Sequence, residues 1–178
     1  MNNRRVRDIQ VHEFDLVIDY FLNSDEDHLR GMGVEPARLP DRDQWRQALL
    51  ADCGRPLEKR QNYYVIWELN GKPVGHSNIN EIFFGLHASM HLHLWQPETR
   101  HSGNGTFFLR QSITRYFETF QLQNLFCEPY AHNPAPNRTL AKVGFELIKT
   151  YETQPGWICF HQEVNRWRMT RKKWLPVE

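Results

Sequence analysis

The chain has 178 residues, of which 40% are hydrophobic and 24% charged, and its formal net charge is +1 at pH 7. This length suits a single domain with a real core, and the composition argues against intrinsic disorder. The near-neutral charge argues against a surface built to bind nucleic acid or an anionic membrane. Three separate cysteines without a CxxC pair favour neither a disulfide framework nor a cysteine zinc site, and they fit a reducing cytosol.

Neither a membrane span nor a secretory signal is predicted. No run of about 18 apolar residues occurs in the sequence. The charged N-terminal residues are not followed by the apolar stretch that a secretory signal contains. We therefore expect a cytoplasmic protein.

The N-terminal third predicts two helices. The first is indicated by apolar residues at helical spacing and is ended by the polar run NSDED; its apolar residues are Phe14, Val17, Ile18, Phe21 and Leu22. The following segment, HLRGMGVEPARLPDRD, is rich in glycine and proline and is typical of irregular structure. A second helix is predicted around Trp45, Ala48 and Leu49, with Asp41 or Asp43 as its N-cap.

An antiparallel meander is predicted next. β-Branched and aromatic residues make NYYVIWEL a strand, and Asn70 and Gly71 supply the turn of a hairpin with KPVGHSNI. A third strand should run from Ala88 to Trp95. Its alternation predicts a core face with Ala88, Met90, Leu92 and Leu94, and an opposite face with Ser89, His91, His93 and Trp95.

The clearest predicted helix follows the meander, and its apolar stripe consists of Leu109, Ile113, Tyr116, Phe117 and Phe120. LFCEPYA is then predicted as a strand, NRTLAKV as a short helix, and Gly144 as the C-terminal cap of that helix. Two last strands are predicted around Glu146 to Tyr151 and Trp157 to Glu163. Together these elements indicate an α/β (α+β) domain with a mostly antiparallel sheet.

The loop RHSGNG, residues 100–105, lies between the third strand and the clearest helix. Gly103 and Gly105 before a helix start allow backbone N–H groups and the positive end of the helix dipole to face one anion. The loop matches neither the GxxxxGK[ST] nor the GxGxxG nucleotide motif. Taken alone, it predicts either a phosphate cradle or a plain turn.

A second motif, NPAPNRTLAKVGF from Asn133 to Phe145, favours the cradle. With it, the chain resembles the GNAT family of acyl-CoA-dependent N-acetyltransferases. Their phosphate loop, [QR]xxGx[GA], is matched by Arg100, Gly103 and Gly105. The family's later asparagine, short helix and Gly-Phe pair are matched by Asn133, Gly144 and Phe145.

The resemblance covers roughly residues 63–163 and implies one acyltransferase domain over residues 1–178. It implies a mixed, mostly antiparallel sheet with a V-shaped split, flanked by about four helices. Helices in residues 10–52 would line the acceptor side, residues 62–163 would form the CoA-binding core, and residues 164–178 would form a basic aromatic tail.

The resemblance also implies acetyl-CoA as cosubstrate and no metal. The backbone that would hold the CoA pyrophosphate consists of Arg100, His101, Ser102, Gly103, Asn104, Gly105 and Thr106. The backbone of Leu94, Trp95 and Gln96 would pair with the pantetheine arm like an added strand, between the third and fourth predicted strands. Asn133 would bond this arm, and Asn137 with Arg138 lies close enough to reach the cofactor; helix capping is the alternative role of the two asparagines.

Acetylation needs a neutral amine, and a lysine-like amine with a pKa near 10.4 is mostly protonated at pH 7. His91 and His93 are therefore candidate bases, with satisfied polar residues on a half-exposed sheet as the alternative. Glu128 is a further candidate beside the opening, and its alternative is an ordinary strand-end carboxylate. A backbone N–H at a bulge near Leu94 or Trp95 is expected to stabilise the thioester oxygen.

Other candidate groups are Glu81 and His132. A metal site formed by His87, His91 and His93 is not favoured, because no carboxylate or cysteine accompanies them at ligand spacing. The sequence also departs from the family at the thiolate acid: Leu140 stands where many members have tyrosine. Tyr130 or solvent is left for that role.

Two weaker resemblances concern the acceptor. Ribosomal-protein N-acetyltransferases often have a serine three residues after the asparagine, where this chain has Pro136. The segment EPYAHN is similar to siderophore-type acyltransferases, although Tyr130 stands where they have an acid. We therefore expect transfer to a primary amine of a small molecule or protein; the alternative is a CoA-binding module without turnover.

The C-terminal segment RWRMTRKKW combines five basic residues with two tryptophans. This pattern suits nucleic acid or an acidic partner. A solvated tail whose tryptophans pack on the domain is favoured, so nucleic acid is not an expected partner. The expected assembly is a monomer or homodimer.

Overall fold

The computed structural model describes residues 3–99 and 102–174. Arg100 and His101, predicted to belong to the phosphate loop, lie outside these ranges. The described residues form one α/β unit built around a single seven-stranded sheet.

The sheet has the strand order β1-β2-β3-β4-β5-β7-β6. All neighbouring strands are antiparallel except β4 and β5, which are parallel. The strands are β1 (Arg4–Asp8), β2 (Asn62–Leu69), β3 (Lys72–Phe83), β4 (His87–Leu94), β5 (Asn124–Cys127), β6 (Glu146–Thr153) and β7 (Gln162–Thr170).

Six α-helices flank the sheet in the described ranges, compared with about four predicted; four of them have nine residues or more. They are α1 (Phe14–Leu22), α2 (Glu26–Gly31), α3 (Arg42–Cys53), α4 (Asn104–Phe120), α5 (Pro134–Val143) and α6 (Arg171–Trp174). None of these helices combines the length and hydropathy needed to cross a bilayer.

Two apolar cores lie on opposite faces of the sheet because side chains alternate along each strand. On β2, Val65 and Trp67 join the core under α4 and α5, whereas Ile66 joins the core under α1 and α3. The predicted stripe of α4 is fully buried in the first core. Removing such a face from water contributes about 25 cal/mol per Å² to stability.

Local chain signals explain several of the element boundaries. Asn70 and Gly71 have φ angles of 53° and 77°, as the predicted hairpin turn requires. Asp41 caps α3 by accepting a hydrogen bond from the Gln44 N–H at 2.8 Å, which decides between the two predicted caps. Gly144 ends α5 with a φ of 103°, a left-handed value that glycine adopts at little cost.

The predicted V-shaped split lies between β4 and β5. These strands pair only where His87–Ser89 meets Asn124–Phe126, and β4 continues to Leu94. β5 ends at Cys127, and the nearby Pro129 has no N–H to offer a sheet. The sheet therefore opens toward the end of β4.

The C-terminal strand differs from the prediction. β7 runs over Gln162–Thr170 instead of residues 157–163, and it lies inside the sheet between β5 and β6. The tail predicted from residue 164 is therefore wrong for residues 164–170. Val164 and Met169 are buried in this strand, while the arginines between them raise its polarity and hide its strand pattern.

Trp174 does pack on the domain, because its Nε1 donates to Thr114 Oγ1 of α4 at 3.0 Å. Three of these helices and strands were not predicted: β1, α2 and α6. β1 is an edge strand with one apolar residue, Val6, and pairing with β2 fixes it. α2 corrects the sequence analysis, which expected the polar run NSDED and the start of an irregular segment there; the helix begins after Asp25, whose side chain accepts from the His28 N–H.

Candidate active site

A cleft of about 1100 Å³ occupies the split between β4 and β5. One end lies against the N-terminus of α4, and the walls include β4, the end of β5 and α5. The other end reaches α1, α2, α3 and the segment between β6 and β7. Its volume is large even for ligand sites, which usually measure about 300–1,000 Å³.

The glycine loop lines the first end of this cleft. Gly103 has a φ of 76° and is the N-cap of α4. If a Cβ atom is placed on Gly103 or Gly105, no described atom lies within 4 Å of it apart from the adjoining backbone. Both glycines therefore leave open space beside the backbone. The N–H groups at a helix start point outward, here those of Asn104, Gly105 and Thr106, and the helix dipole favours an anion there. The loop therefore fits a phosphate.

The polar side chains of this loop brace it. Asn104 is buried, and its Nδ2 donates to Thr99 O at 3.2 Å and to Ser102 Oγ at 2.7 Å. Ser102 Oγ donates in turn to Thr99 O at 3.0 Å. These bonds fix the loop shape and leave the backbone as the group that a phosphate can reach.

The two asparagines of α5 have different environments. Asn133 lines the cleft and caps α5 through a long bond of 3.4 Å from the Ala135 N–H. Asn137 donates to Tyr130 O at 3.0 Å and to Asn133 O at 2.7 Å. Its Oδ1 accepts from Asn165 Nδ2 at 2.9 Å and from Trp167 Nε1 at 2.8 Å. We therefore assign Asn137 a structural role in place of the predicted cofactor contact.

Two basic residues of α5, Arg138 and Lys142, also line the cleft. They lie four residues apart and therefore on one side of the helix. Lys142 was not predicted as a site residue, although its spacing of four residues from Arg138 in a predicted helix could have indicated it. The pair gives this wall of the cleft a positive charge.

Strand β4 continues past the split without a bulge at its end. Leu94 lies opposite Gly75, and the Trp95 N–H donates to Val74 O at 2.9 Å in the same register. The bulge predicted near Leu94 or Trp95 is therefore wrong, because the register shift lies between Asn80 and Phe83. Leu94 lines the cleft; the described lining includes neither Trp95 nor Gln96.

The two candidate histidines of β4 both line the cleft, and so do Met90, Leu92 and Leu94 of the opposite parity. The Nε2 of His91 lies 3.2 Å from Asn80 Oδ1, an acceptor, so Nε2 carries the proton and Nδ1 the lone pair. Burial lowers the pKa of His91, while the charges of Glu81 and Glu128 raise it in part. His91 is therefore neutral at pH 7.

His93 lies within a group of aromatic rings. Its ring centroid is 5.2 Å from that of Phe21 and 5.4 Å from that of Tyr20. Burial, with smaller contributions from His91 and His28, lowers the pKa of His93 to about 3. A ring with so low a pKa is a weak base.

A third histidine, His76 of β3, was not predicted. It is 1% exposed, and its Nδ1 accepts from Trp95 Nε1 at 2.8 Å. This bond places the proton of the neutral ring on Nε2. The signal lies in the hairpin register, which sets His76 directly opposite His93.

Glu128 follows β5 on the other side of the opening. Its Oε1 accepts from Arg166 Nη1 at 2.6 Å and from the Tyr151 hydroxyl at 2.7 Å. Since Ser89 pairs with Phe126, His91 and Glu128 each lie two residues further along the diverging strands. The two side chains thus flank the opening. Arg166 and Tyr151 escaped prediction because they come from β7 and β6.

Tyr130 lines the cleft, and its backbone forms a bridge with Val164 of β7. Its ring contacts Phe160 at 5.8 Å and His132 at 5.2 Å between centroids. The His132 side chain is 70% exposed and is not among the described residues that line the cleft, so we leave it out of the candidate site. In residues 3–99 and 102–174, no group of three potential metal ligands is arranged to hold an ion.

Comparisons with known proteins agree with this architecture. The family model described as an acetyltransferase (GNAT) domain matches residues 5–146. A comparison with curated protein sequences gives no match.

Solved structures show the same fold at low sequence identity. A spermidine N-acetyltransferase from Vibrio cholerae, in complex with CoA and spermine, superposes with a TM-score of 0.78, 14% identity and coverage of 97% of this chain and 98% of that chain. A ribosomal-protein-S5-alanine acetyltransferase from Vibrio fischeri superposes with a TM-score of 0.76 and 18% identity, and the match covers 97% of this chain and 96% of that chain. For a ribosomal L7/L12 α-N-protein acetyltransferase in complex with CoA, the TM-score is 0.74 and the identity 13%, with coverage of 94% of this chain and 93% of that chain.

The family match spans well over half of the sequence, and the sheet order, the split and the glycine loop agree with it. The chain belongs to the GNAT acetyltransferase family.

Proposed function

We propose that the protein transfers an acetyl group from acetyl-CoA to a primary amine of a small molecule or protein by direct attack. One observation carries this proposal. A single cleft joins the helix N-terminus at Gly103–Thr106 to the face of β4 that bears His91, and it passes through the split between β4 and β5. Such a cleft can hold a long anionic cosubstrate at one end and an acceptor at the other.

The chain has suitable groups for CoA phosphates. The N–H groups of Asn104, Gly105 and Thr106 are proposed to bind the pyrophosphate, with the α4 dipole behind them. Arg138 and Lys142 add positive charge on the facing wall. Acetyl-CoA itself supplies the thioester whose carbonyl carbon the amine attacks. The CoA seen in two of the neighbouring structures supports this choice of cosubstrate.

His91 is the proposed base, acting on the amine directly or through a water. It is neutral and faces the cleft, and Glu128 across the opening would stabilise the imidazolium that forms. His93 suits this role poorly, because its pKa of about 3 leaves little driving force for accepting a proton. Glu128 is paired with Arg166, so its role is to stabilise charge.

Two further groups concern the thioester. The Trp95 N–H is occupied by Val74 O, so we do not propose it as the donor to the thioester oxygen. Tyr130, in the cleft wall, is proposed as the proton donor to the departing thiolate. Leu140 is fully buried and supplies no acid from the position where many family members have tyrosine.

Calorimetry with acetyl-CoA tests the cosubstrate, and CoA release with an amine panel tests the transfer. A Gly105→Glu variant puts a carboxylate in the open space of the cradle and should abolish saturable binding. Gly54→Glu is the matched control, because Gly54 lies at the end of α3, where a Cβ meets only ordinary contacts. Equal binding by wild type and Gly105→Glu would contradict the proposal.

A second candidate function is a CoA-binding module without turnover. The buried Leu140 favours it, since the usual acid is missing. Release of CoA with any amine of a broad panel would reject it.

A further inference from the structure

The acceptor end of the cleft is lined by aromatic rings. We infer that the acceptor is a primary monoamine carried on an aromatic body. This inference rests on the proposed acetyl transfer and specifies its substrate class. It depends on three features of the cleft: its rings, its few carboxylates and one exposed indole.

The rings form a continuous series from β4 to the cleft mouth. His93 contacts Phe21 at 5.2 Å, Phe21 contacts Trp45 at 5.3 Å, and Trp45 contacts Trp157 at 6.3 Å between centroids. All four residues line the cleft. Edge-to-face and offset arrangements of this kind are the ones in which a further aromatic ring packs favourably.

Carboxylates are scarce on the same surface. Among the described residues that line the cleft, the only two are Asp27 and Glu128. Asp27 is exposed, and Glu128 is already paired with Arg166 at 2.6 Å and lies at the opening next to His91. The remaining ionic residues of the described lining, Arg138 and Lys142, are positive.

This charge distribution is unsuited to a polyamine. An aromatic face attracts an ammonium group by about 0.5–2 kcal/mol, whereas taking that group out of water costs several kcal/mol, so each additional ammonium group without a carboxylate partner carries a net cost. His76 and His93 do not supply such partners, because neutral imidazoles carry no negative charge. An acceptor with one amino group avoids this cost, and desolvation of that group also favours the neutral form that attacks.

Trp157 provides the third feature. Its side chain is 61% exposed although it lines the cleft. The segment that carries it is held in place, because the Glu35 N–H donates to Ile158 O at 2.8 Å and Arg38 Nη1 donates to Cys159 O at 2.6 Å. An exposed indole on an anchored backbone segment of the cleft wall is a surface on which an aromatic ligand gains contact area.

The decisive experiment compares acceptors at saturating acetyl-CoA, with CoA release as the readout. The probes are 2-phenylethylamine, n-butylamine, spermidine and a short peptide with an N-terminal alanine. We expect kcat/KM for 2-phenylethylamine to exceed each of the others by about tenfold or more, the order of discrimination that pocket contacts provide. A preference for spermidine, butylamine or the peptide would overturn the inference and leave acetyl transfer intact.

Binding is measured separately, so that failure of the transferase proposal is distinguishable. Calorimetry of the CoA-loaded protein with 2-phenylethylamine should give saturable binding that n-butylamine does not reproduce. Binding without turnover would support the aromatic site and contradict the transferase. The absence of both binding and turnover, with acetyl-CoA still bound, would overturn the inference.

A pair of variants locates the effect. Trp157→Ala should raise KM for 2-phenylethylamine about tenfold with little change in kcat, because uniform binding is lost. Phe83→Ala is the matched control: Phe83 is a 55% exposed aromatic residue outside the described cleft lining, and its loss should leave kcat and KM unchanged. Equal KM values for wild type and Trp157→Ala would contradict the assignment.

Discussion

His93 of β4 stacks on His76 of β3, with ring centroids 4.7 Å apart and planes inclined by 21°. Burial is the main cause that lowers the pKa of both rings, and the nearby His93 lowers that of His76 further. The pair is therefore accommodated only in its neutral form. This relationship makes the stability of the domain depend on pH.

The sign of this dependence follows from proton binding. An unfolded histidine has a pKa of about 6.5, so below this pH the unfolded state binds protons that the folded state refuses. Stability should be constant between about pH 8 and about pH 7 as far as these groups are concerned, and should fall from about pH 6.5 downward. Thermal unfolding across this range measures the effect.

A His93→Phe variant keeps the aromatic packing and removes one of these protons. Below about pH 6, the free energy of unfolding should fall more steeply with decreasing pH in the wild type than in the variant. The difference between the two slopes should be about 1.4 kcal/mol per pH unit. His132→Phe, at an exposed position, should retain the wild-type slope. The same slope for wild type and His93→Phe would contradict a histidine pair that stays neutral in the folded state.

His91 and His93 should differ in catalysis. His91→Ala should lower kcat by about 10²–10⁴-fold with unchanged acetyl-CoA affinity, the usual cost of losing a general base. Because burial lowers the pKa of His91, wild-type kcat/KM should be maintained below pH 6.5 before it declines. Steady-state kinetics across pH check both expectations. Unchanged rates in His91→Ala would return this residue to a structural role.

The pair of Glu128 and Arg166 should stabilise the sheet next to the opening. Arg166→Met leaves a partly buried carboxylate with Tyr151 as its remaining partner, and we expect a loss of about 1–3 kcal/mol. Urea denaturation of both single variants and of Glu128→Gln/Arg166→Met gives the coupling energy. Arg30→Met is a control, since its pair with Glu35 is more exposed and should contribute less than about 1 kcal/mol. Full additivity of the two changes would contradict the coupling.

Asn133 and Asn137 separate binding from stability. Asn137→Ala removes four hydrogen bonds and should destabilise the fold by about 2–4 kcal/mol with little change in acetyl-CoA affinity. Asn133→Ala removes one long cap bond, so we expect about 1 kcal/mol or less and a weaker affinity for acetyl-CoA. Urea denaturation and calorimetry measure the two quantities. The reverse pattern would restore Asn137 as a cofactor contact.

Local patterns explain why much of the fold is predictable. The Asn70–Gly71 turn and the apolar stripe of α4 depend on neighbouring residues, and both predictions are confirmed. β7 is different, because its buried residues Val164 and Met169 are separated by polar and amphipathic ones. The long arginine stems there cover apolar surface while their charges remain near water. The composition of this segment alone therefore resembles that of a solvated tail.

The candidate site likewise contains residues that local sequence predicts and contacts that only the folded chain creates. Gly103, Gly105 and His91 are predictable because the glycine loop directly follows the strand that carries the histidine. The contacts of Glu128 with Tyr151 and Arg166 span 23 and 38 residues, and only the pairing of β5, β6 and β7 brings them together. The low pKa of His93 likewise depends on α1, which packs Tyr20 and Phe21 against the ring.

The last prediction concerns the positive wall of the cleft formed by Arg138 and Lys142. If these residues face the CoA phosphates, Arg138→Ala and Lys142→Ala should each weaken acetyl-CoA binding by about 1 kcal/mol or more, and the loss should shrink at high salt. Calorimetry at two ionic strengths measures this. Dephospho-CoA identifies which phosphate is bound: a variant that has lost the contact to the 3′-phosphate should bind CoA and dephospho-CoA equally.

Lys149→Ala is the matched control, because Lys149 lies on the edge strand β6 with its ammonium group over the ring of Tyr151, outside the described cleft lining. Its affinity for acetyl-CoA should equal that of the wild type. An identical loss in Lys149→Ala and Arg138→Ala would indicate a general effect of net charge. That result would contradict a specific role for the α5 wall, since long-range attraction between the anionic ligand and the protein depends on surface charges in general and not on one contact.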